Sequence, residues 1–137
     1  MGYLNMIKAK VISEVLGSPQ EHVDKTLNLL LEKLKERKEL DIGNEKLFQA
    51  EKIEGKPLFS GFIEYEINVE TLSELSGFCF DFMPSSIEIL EPDELKTSSV
   101  SFGELFNEIL ARLHQNDMFL RNTIAELTFL KRKLENK

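Results

Sequence analysis

The stretch Ile63-Glu64-Tyr65-Glu66-Ile67-Asn68-Val69-Glu70 decides the fold. Side chains on a strand alternate between faces, so Ile63, Tyr65, Ile67 and Val69 share one side and the polar residues share the other. Alternation this regular predicts a strand with one face on a core and one in water, as antiparallel sheets commonly have. Upstream, residues 47–53 predict a weaker strand. Glu54-Gly55-Lys56-Pro57 separates the two as a short hairpin connection.

Downstream, Thr71 and Glu74 form a capping box, in which a Ser or Thr is followed three residues later by Glu and orphan helix amides are satisfied. The box opens a helix with an apolar face of Leu72, Leu75, Phe78, Cys79 and Phe82, and Pro84 stops it. Phe78, Phe80 and Phe82 also alternate, so a helix ending at Gly77 followed by a strand competes with this reading. A helix of about three turns is the more natural crossover to the next strand. In that strand Ile87 and Ile89 alternate with Ser86, Glu88 and Leu90, and Pro92 ends it.

On the N-terminal side, Ile7, Ala9 and Val11 alternate with Lys8 and Lys10, which predicts a strand. Gly17-Ser18-Pro19 leads into a second capping box, Ser18 with Glu21, with Pro19 at the first helical position. Val23, Leu27, Leu30, Leu31 and Leu34 then recur at helical spacing against Lys25, Asn28, Glu32 and Lys35, an amphipathic helix of about five turns. The order is β-α-β-β-α-β, which predicts an α+β domain over residues 1–92. Its expected form is the ferredoxin-like split βαβ, an antiparallel sheet with two helices on one face. Residues 93–100 are polar enough for a linker.

A third capping box, Ser101 with Glu104, opens residues 101–137, which contain no proline. A continuous helix there would run roughly 50 Å at 1.5 Å per residue. Leu113, Leu120, Leu127 and Leu134 recur every seven residues with Phe106 in register, and the adjacent seam is Leu110, Asp117, Ile124 and Lys131. In heptad terms the leucines occupy d and the mixed set occupies a; leucine at d suits two strands, and a polar a residue sets register. Ile109, Phe119 and Leu130 lie outside the seam, so the apolar surface is wider than a two-stranded zipper requires. Self-association, folding back on the body, a helix of another protein, and a hairpin broken near Gln115-Asn116-Asp117 all remain open. Lys131, Arg132, Lys133 and Lys137 suit a helix C-terminus electrostatically.

Net charge is −7, and residues 93–137 carry seven acidic and seven basic residues, so the excess sits on residues 1–92. That balance disfavours phosphate-backbone binding, which depends on clustered Lys and Arg. No apolar run approaches the roughly 20 residues of a membrane span. The N-terminus lacks a signal-peptide apolar region, and Met6 breaks the myristoylation pattern that Gly2 would begin. The single cysteine, Cys79, allows no disulfide within the chain. With these features the expected location is the cytoplasm.

Constellations for chemistry are sparse. His22 and His114 have no neighbouring Cys or second His at metal spacing, so neither a metal nor another cofactor is expected. Cys79 lies among phenylalanines, a setting that raises a thiol pKa and suits a buried structural thiol. Asp81 interrupts the same apolar run and becomes a ligand-site candidate if buried. Ser18, in the turn before the first helix, stands where helix amides favour a small anion, but Glu21 occupies the place a base would take. Gly61-Phe62-Ile63-Glu64-Tyr65 stands where RNA-binding ferredoxin-like sheets carry aromatics. Here Tyr65 falls on the apolar face, and the Phe62 face continues with Glu64 and Glu66.

The expected function is a non-enzymatic interaction or regulatory protein. Its C-terminal helix, through Phe106, Leu110, Leu113, Leu120, Ile124, Leu127 and Leu134, would form a homo-oligomer, a dimer, or capture another protein's helix. The alternative is a small-molecule-sensing ferredoxin-like module of the ACT type, with Ser18 and Asp81 pointing to a ligand site at a helix–sheet or subunit interface.

Overall fold

The 63–69 alternation lies in the third of four strands. The computed structural model describes residues 6–136, so the readings made on Gly2 and Lys137 fall outside the described residues. The elements are β1 (Ile7–Gly17), α1 (Gln20–Glu36), a 3-10 turn (Lys38–Leu40), β2 (Gly43–Lys52), β3 (Phe59–Val69), α2 (Leu72–Phe82), β4 (Ser86–Glu91) and α3 (Ser99–Glu135). They form two units that divide between Lys96 and Thr97, inside the expected linker.

The strands form one sheet in the order β2-β3-β1-β4 with every neighbouring pair antiparallel. α1 therefore connects β1 to β2 with β3 between them, and α2 connects β3 to β4 with β1 between them. This is the ferredoxin-like split βαβ arrangement. β1 and β3 register Ile7 opposite Val69, Ala9 opposite Ile67 and Val11 opposite Tyr65. Those side chains are buried with Val23, Leu27 and Leu34 of α1 and Leu75 and Phe78 of α2, so both helices cover the same face. On the other face Lys8 pairs with Glu66 at 3.4 Å and Lys10 with Glu64 at 3.2 Å.

Some expectations change. β1 continues past Val11 to Gly17, which carries Ser13 onto the core face, where its hydroxyl and that of Tyr65 hydrogen-bond at 2.8 Å. β2 starts at Gly43, earlier than expected, and is bulged: Gln49 and Ala50 together oppose Gly61, between the pairs Phe48–Phe62 and Glu51–Ser60. A bulge leaves backbone groups without ladder partners. α1 supplies them, since Asp24 Oδ1 accepts from the Ala50 amide at 2.9 Å and Gln20 Nε2 donates to the Ala50 carbonyl at 2.8 Å. α2 is helical through Phe82 and ends on Met83 in the left-handed region (φ 48°), so the strand alternative for 78–82 is not formed. Ile87 and Ile89 of β4 pair with Val11 and Ala9 and so face the helix layer, yet they remain 39% and 41% exposed at the sheet edge.

Only one capping box forms as read. Thr71 accepts from the Glu74 amide at 3.0 Å, while Glu74 reaches back to the amide of Glu70, one residue before the cap. α1 is capped by Pro19 rather than Ser18, with no side-chain cap; the Pro19 carbonyl accepts from the amides of His22 and Val23. α3 begins at Ser99, capped by Ser98 rather than Ser101, and Ser98 accepts from the Ser101 amide at 3.0 Å.

Candidate functional site

α3 is one continuous helix of 37 residues, so the hairpin break near Gln115–Asp117 is not formed. At 1.5 Å per residue it is about 55 Å long. Several of its polar side chains bond within the helix. Thr123 and Thr128 donate to the carbonyls of Phe119 and Ile124, and Asp117 pairs with Arg121 at 2.9 Å, the favourable acid-first spacing of four. Its apolar side chains have no such outlet. Helical rotation places Phe106, Leu110, Leu113, Leu120, Ile124, Leu127 and Leu134 along one stripe, with exposures from 49% at Leu110 to 70% at Leu134. Ile109 and Leu130 widen that stripe on one flank. Phe102 falls in the first turn of the helix and packs edge-to-face on Phe106, ring centroids 5.0 Å apart. Phe102 lay inside the segment expected to be helical but outside the seven-residue register that singles out Phe106 and the leucines. Met118 and Phe129 sit near the opposite side, 63% and 65% exposed.

The two ligand-site candidates are not brought together. Ser18 is exposed in the turn before α1. Asp81 accepts from Arg37 at 3.2 Å, and Arg37 is the C-cap of α1. The 17-residue α1 therefore stands between them, roughly 25 Å end to end. Asp81 also proves exposed rather than sunk in the apolar run. Arg37 is the hub here: it pairs with Glu39 and Asp81 and lies 5.4 Å over the Phe82 ring. The hydrogen bond to Glu39, with that to Asp81 behind it, holds the guanidinium above its ordinary pKa, and Arg37 in turn holds Glu39 below the usual carboxylate range. Sequence reasoning missed this cluster because Arg37 and Asp81 are 44 residues apart.

The remaining groups offer little chemistry. Partial burial pushes the Cys79 thiol pKa up, away from the nucleophilic thiolate. His22 and His114 are both exposed. Among the described residues no group of three or more His, Cys, Asp or Glu is placed to hold a metal ion. A shallow cleft of about 300 Å³ is lined by Lys35, Arg37, Lys38, Asp41 and Ile42, but Lys35 is paired with Glu45 and Arg37 with its two acids. On the open face of the sheet Phe48 and Phe62 stack at 4.5 Å, and Glu64 and Glu66 follow on the same face. Tyr65 points the other way into the core. Among the described residues no helix is long and apolar enough to cross a membrane.

A protein-family model described as the MJ0538 family matches residues 8–127, a span that covers the sheet, both packed helices and most of α3. A curated relative, "Uncharacterized protein MJ0538" of Methanocaldococcus jannaschii, is 29% identical over 108 residues, which is 77% of this chain. The chain spans only 40% of that relative's length. No solved structure matches the chain significantly.

Proposed function

The chain belongs to the MJ0538 family, and from that premise we propose that it is a non-enzymatic, cytoplasmic interaction protein that associates through α3, with a second copy or with a helix of another protein. The observation that carries this reading is the apolar stripe of α3. A single helix cannot cover its own face, and among the described residues the unit that begins at Thr97 contains no other element. A fully buried Leu, Ile or Phe contributes roughly 1.5–3 kcal/mol, and stripe residues that are half exposed have about half of that still to gain. Six or seven such residues on one face give a substantial drive to associate. The acidic body keeps the assembly soluble and favours basic surfaces on any further partner. For the non-enzymatic part of this reading the support is that burial pushes the Cys79 thiol pKa up, away from the nucleophilic thiolate.

Light scattering on the full chain at micromolar concentration tests the proposal. The expected mass is a multiple of the chain mass, and Leu113→Glu with Leu120→Glu is expected to return it to one chain with unchanged helix content. A full chain that is monomeric, and whose retention of partners from its source cell is unaffected by the two substitutions, would overturn it.

A further inference from the structure

We infer that the occupant of the α3 stripe is the α3 of a second copy, lying antiparallel to the first in near-complete overlap. This rests on the reading of α3 as an association helix and adds its partner and polarity.

Charge favours this polarity. Residues 99–117 carry Glu104, Glu108 and Asp117 against Arg112, a net charge of −2. Residues 118–136 carry Arg121, Lys131, Arg132 and Lys133 against Glu126 and Glu135, a net of +2. Antiparallel pairing sets each acidic half on a basic half, whereas parallel pairing sets like on like.

Register favours it as well. In a parallel pair, a positions meet a positions, so Asp117 faces Asp117 and Lys131 faces Lys131 in the seam. In an antiparallel pair, a meets d. With the two-fold axis between Met118 and Phe119, close to the middle of Ser99–Glu135, Leu110 lies opposite Leu127 of the other copy and Leu113 opposite Ile124. The two Lys131 residues then sit near opposite ends, each beside a Phe106 ring. Asp117 already pairs with Arg121 on its own helix, and the axis brings the other copy's Arg121 beside it, so the charged centre is neutral overall.

The width of the stripe points the same way. In the same register the flanking g positions pair with each other, which places Ile109 beside Leu130 of the other copy. A parallel pair would set these residues against e positions, His114 and Glu135. The apolar flank, which a parallel zipper leaves unexplained, is thereby covered.

Cysteine cross-linking of the full chain in a Cys79→Ser background tests this. Leu110→Cys and Leu127→Cys are made as separate chains, mixed, dissociated, reassociated and oxidised. Disulfides need Cα atoms within about 7 Å, so the antiparallel dimer should give at least about ten-fold more covalent dimer in the mixture than in either variant alone. Ile109→Cys with Leu130→Cys provides a second pair on the flank, in case the seam substitutions perturb assembly. Covalent dimer from Leu110→Cys alone, in a chain that is dimeric by light scattering, would refute the antiparallel arrangement and leave association intact. A dimer that cross-links at neither pair would also refute it, and a monomeric chain would overturn both this inference and the reading beneath it.

Discussion

Tyr65 shows how one residue sets conditions on its neighbours. It is fully buried, and burial pushes its hydroxyl pKa up to about 12, against a smaller downward pull from the Ser13 hydrogen bond. The folded chain thus keeps a proton that the unfolded chain releases near pH 10. Stability is full below about pH 10 and falls as pH rises toward about 12, by on the order of 2–3 kcal/mol. Tyr65→Phe removes that alkaline loss but leaves the Ser13 hydroxyl unpaired, at a cost of about 1–3 kcal/mol at neutral pH. Urea unfolding of both proteins should therefore show a stability gap near neutrality that narrows as pH rises above about 10; a gap independent of pH would contradict the burial. Gly61 is constrained differently. A Cβ there would lie 2.6 Å from Leu27 Cδ1 and 3.3 Å from the backbone of Ala50. The leucine tip can move, but the bulged backbone is pinned from α1. Gly61→Ala should destabilise by about 1–3 kcal/mol. At Gly77, inside α2, a Cβ meets nothing within 4 Å, and Gly77→Ala should stabilise by about 0.5–1 kcal/mol. Denaturation midpoints that move in the same direction for both would count against this packing.

Between elements, the decisive joint is α1 on β2. Val23, Leu27 and Leu34 supply the apolar packing, but the bulge at Ala50 is held by two polar side chains, Gln20 and Asp24. Asp24→Ala strips the Ala50 amide of its acceptor in a part-buried position. The expected loss is about 1–3 kcal/mol, with faster hydrogen exchange at Ala50 than at other β2 amides. Unchanged protection of that amide would mean the bulge finds another acceptor. The same polar chemistry explains the capping outcomes. Ser-x-x-Glu or Thr-x-x-Glu occurs at three helix starts, and local sequence does not say which residue stands at the boundary. At α3 a serine one turn earlier takes the role, and at α1 the chain turns through Pro19 with Gln20 already committed to β2.

On the scale of the whole molecule, every buried side chain among the described residues lies at or before Phe78, inside the unit that ends at Lys96. The body has a complete core of its own, and α3 has none. A chain ending at Lys96 should therefore unfold in a single cooperative transition with a midpoint independent of protein concentration. The full chain should show a midpoint that rises with concentration, because association stabilises by mass action. A truncated chain that fails to fold would show instead that α3 belongs to the body.

The ferredoxin-like order, the burial of alternate β3 residues and the long amphipathic α3 were all legible in the sequence, because each rests on periodicity that one segment carries by itself. The heptad leucines were equally visible, since a helix places residues seven apart on one face whatever surrounds it. Tertiary structure alone decided the rest. The Ser13–Tyr65 hydrogen bond joins residues 52 apart and the Arg37–Asp81 pair residues 44 apart, distances over which no local pattern operates. The bulge at Ala50 depends on a register slip against Gly61 that strand propensity does not encode. The separation of Ser18 from Asp81 follows from the length of the helix that folding sets between them.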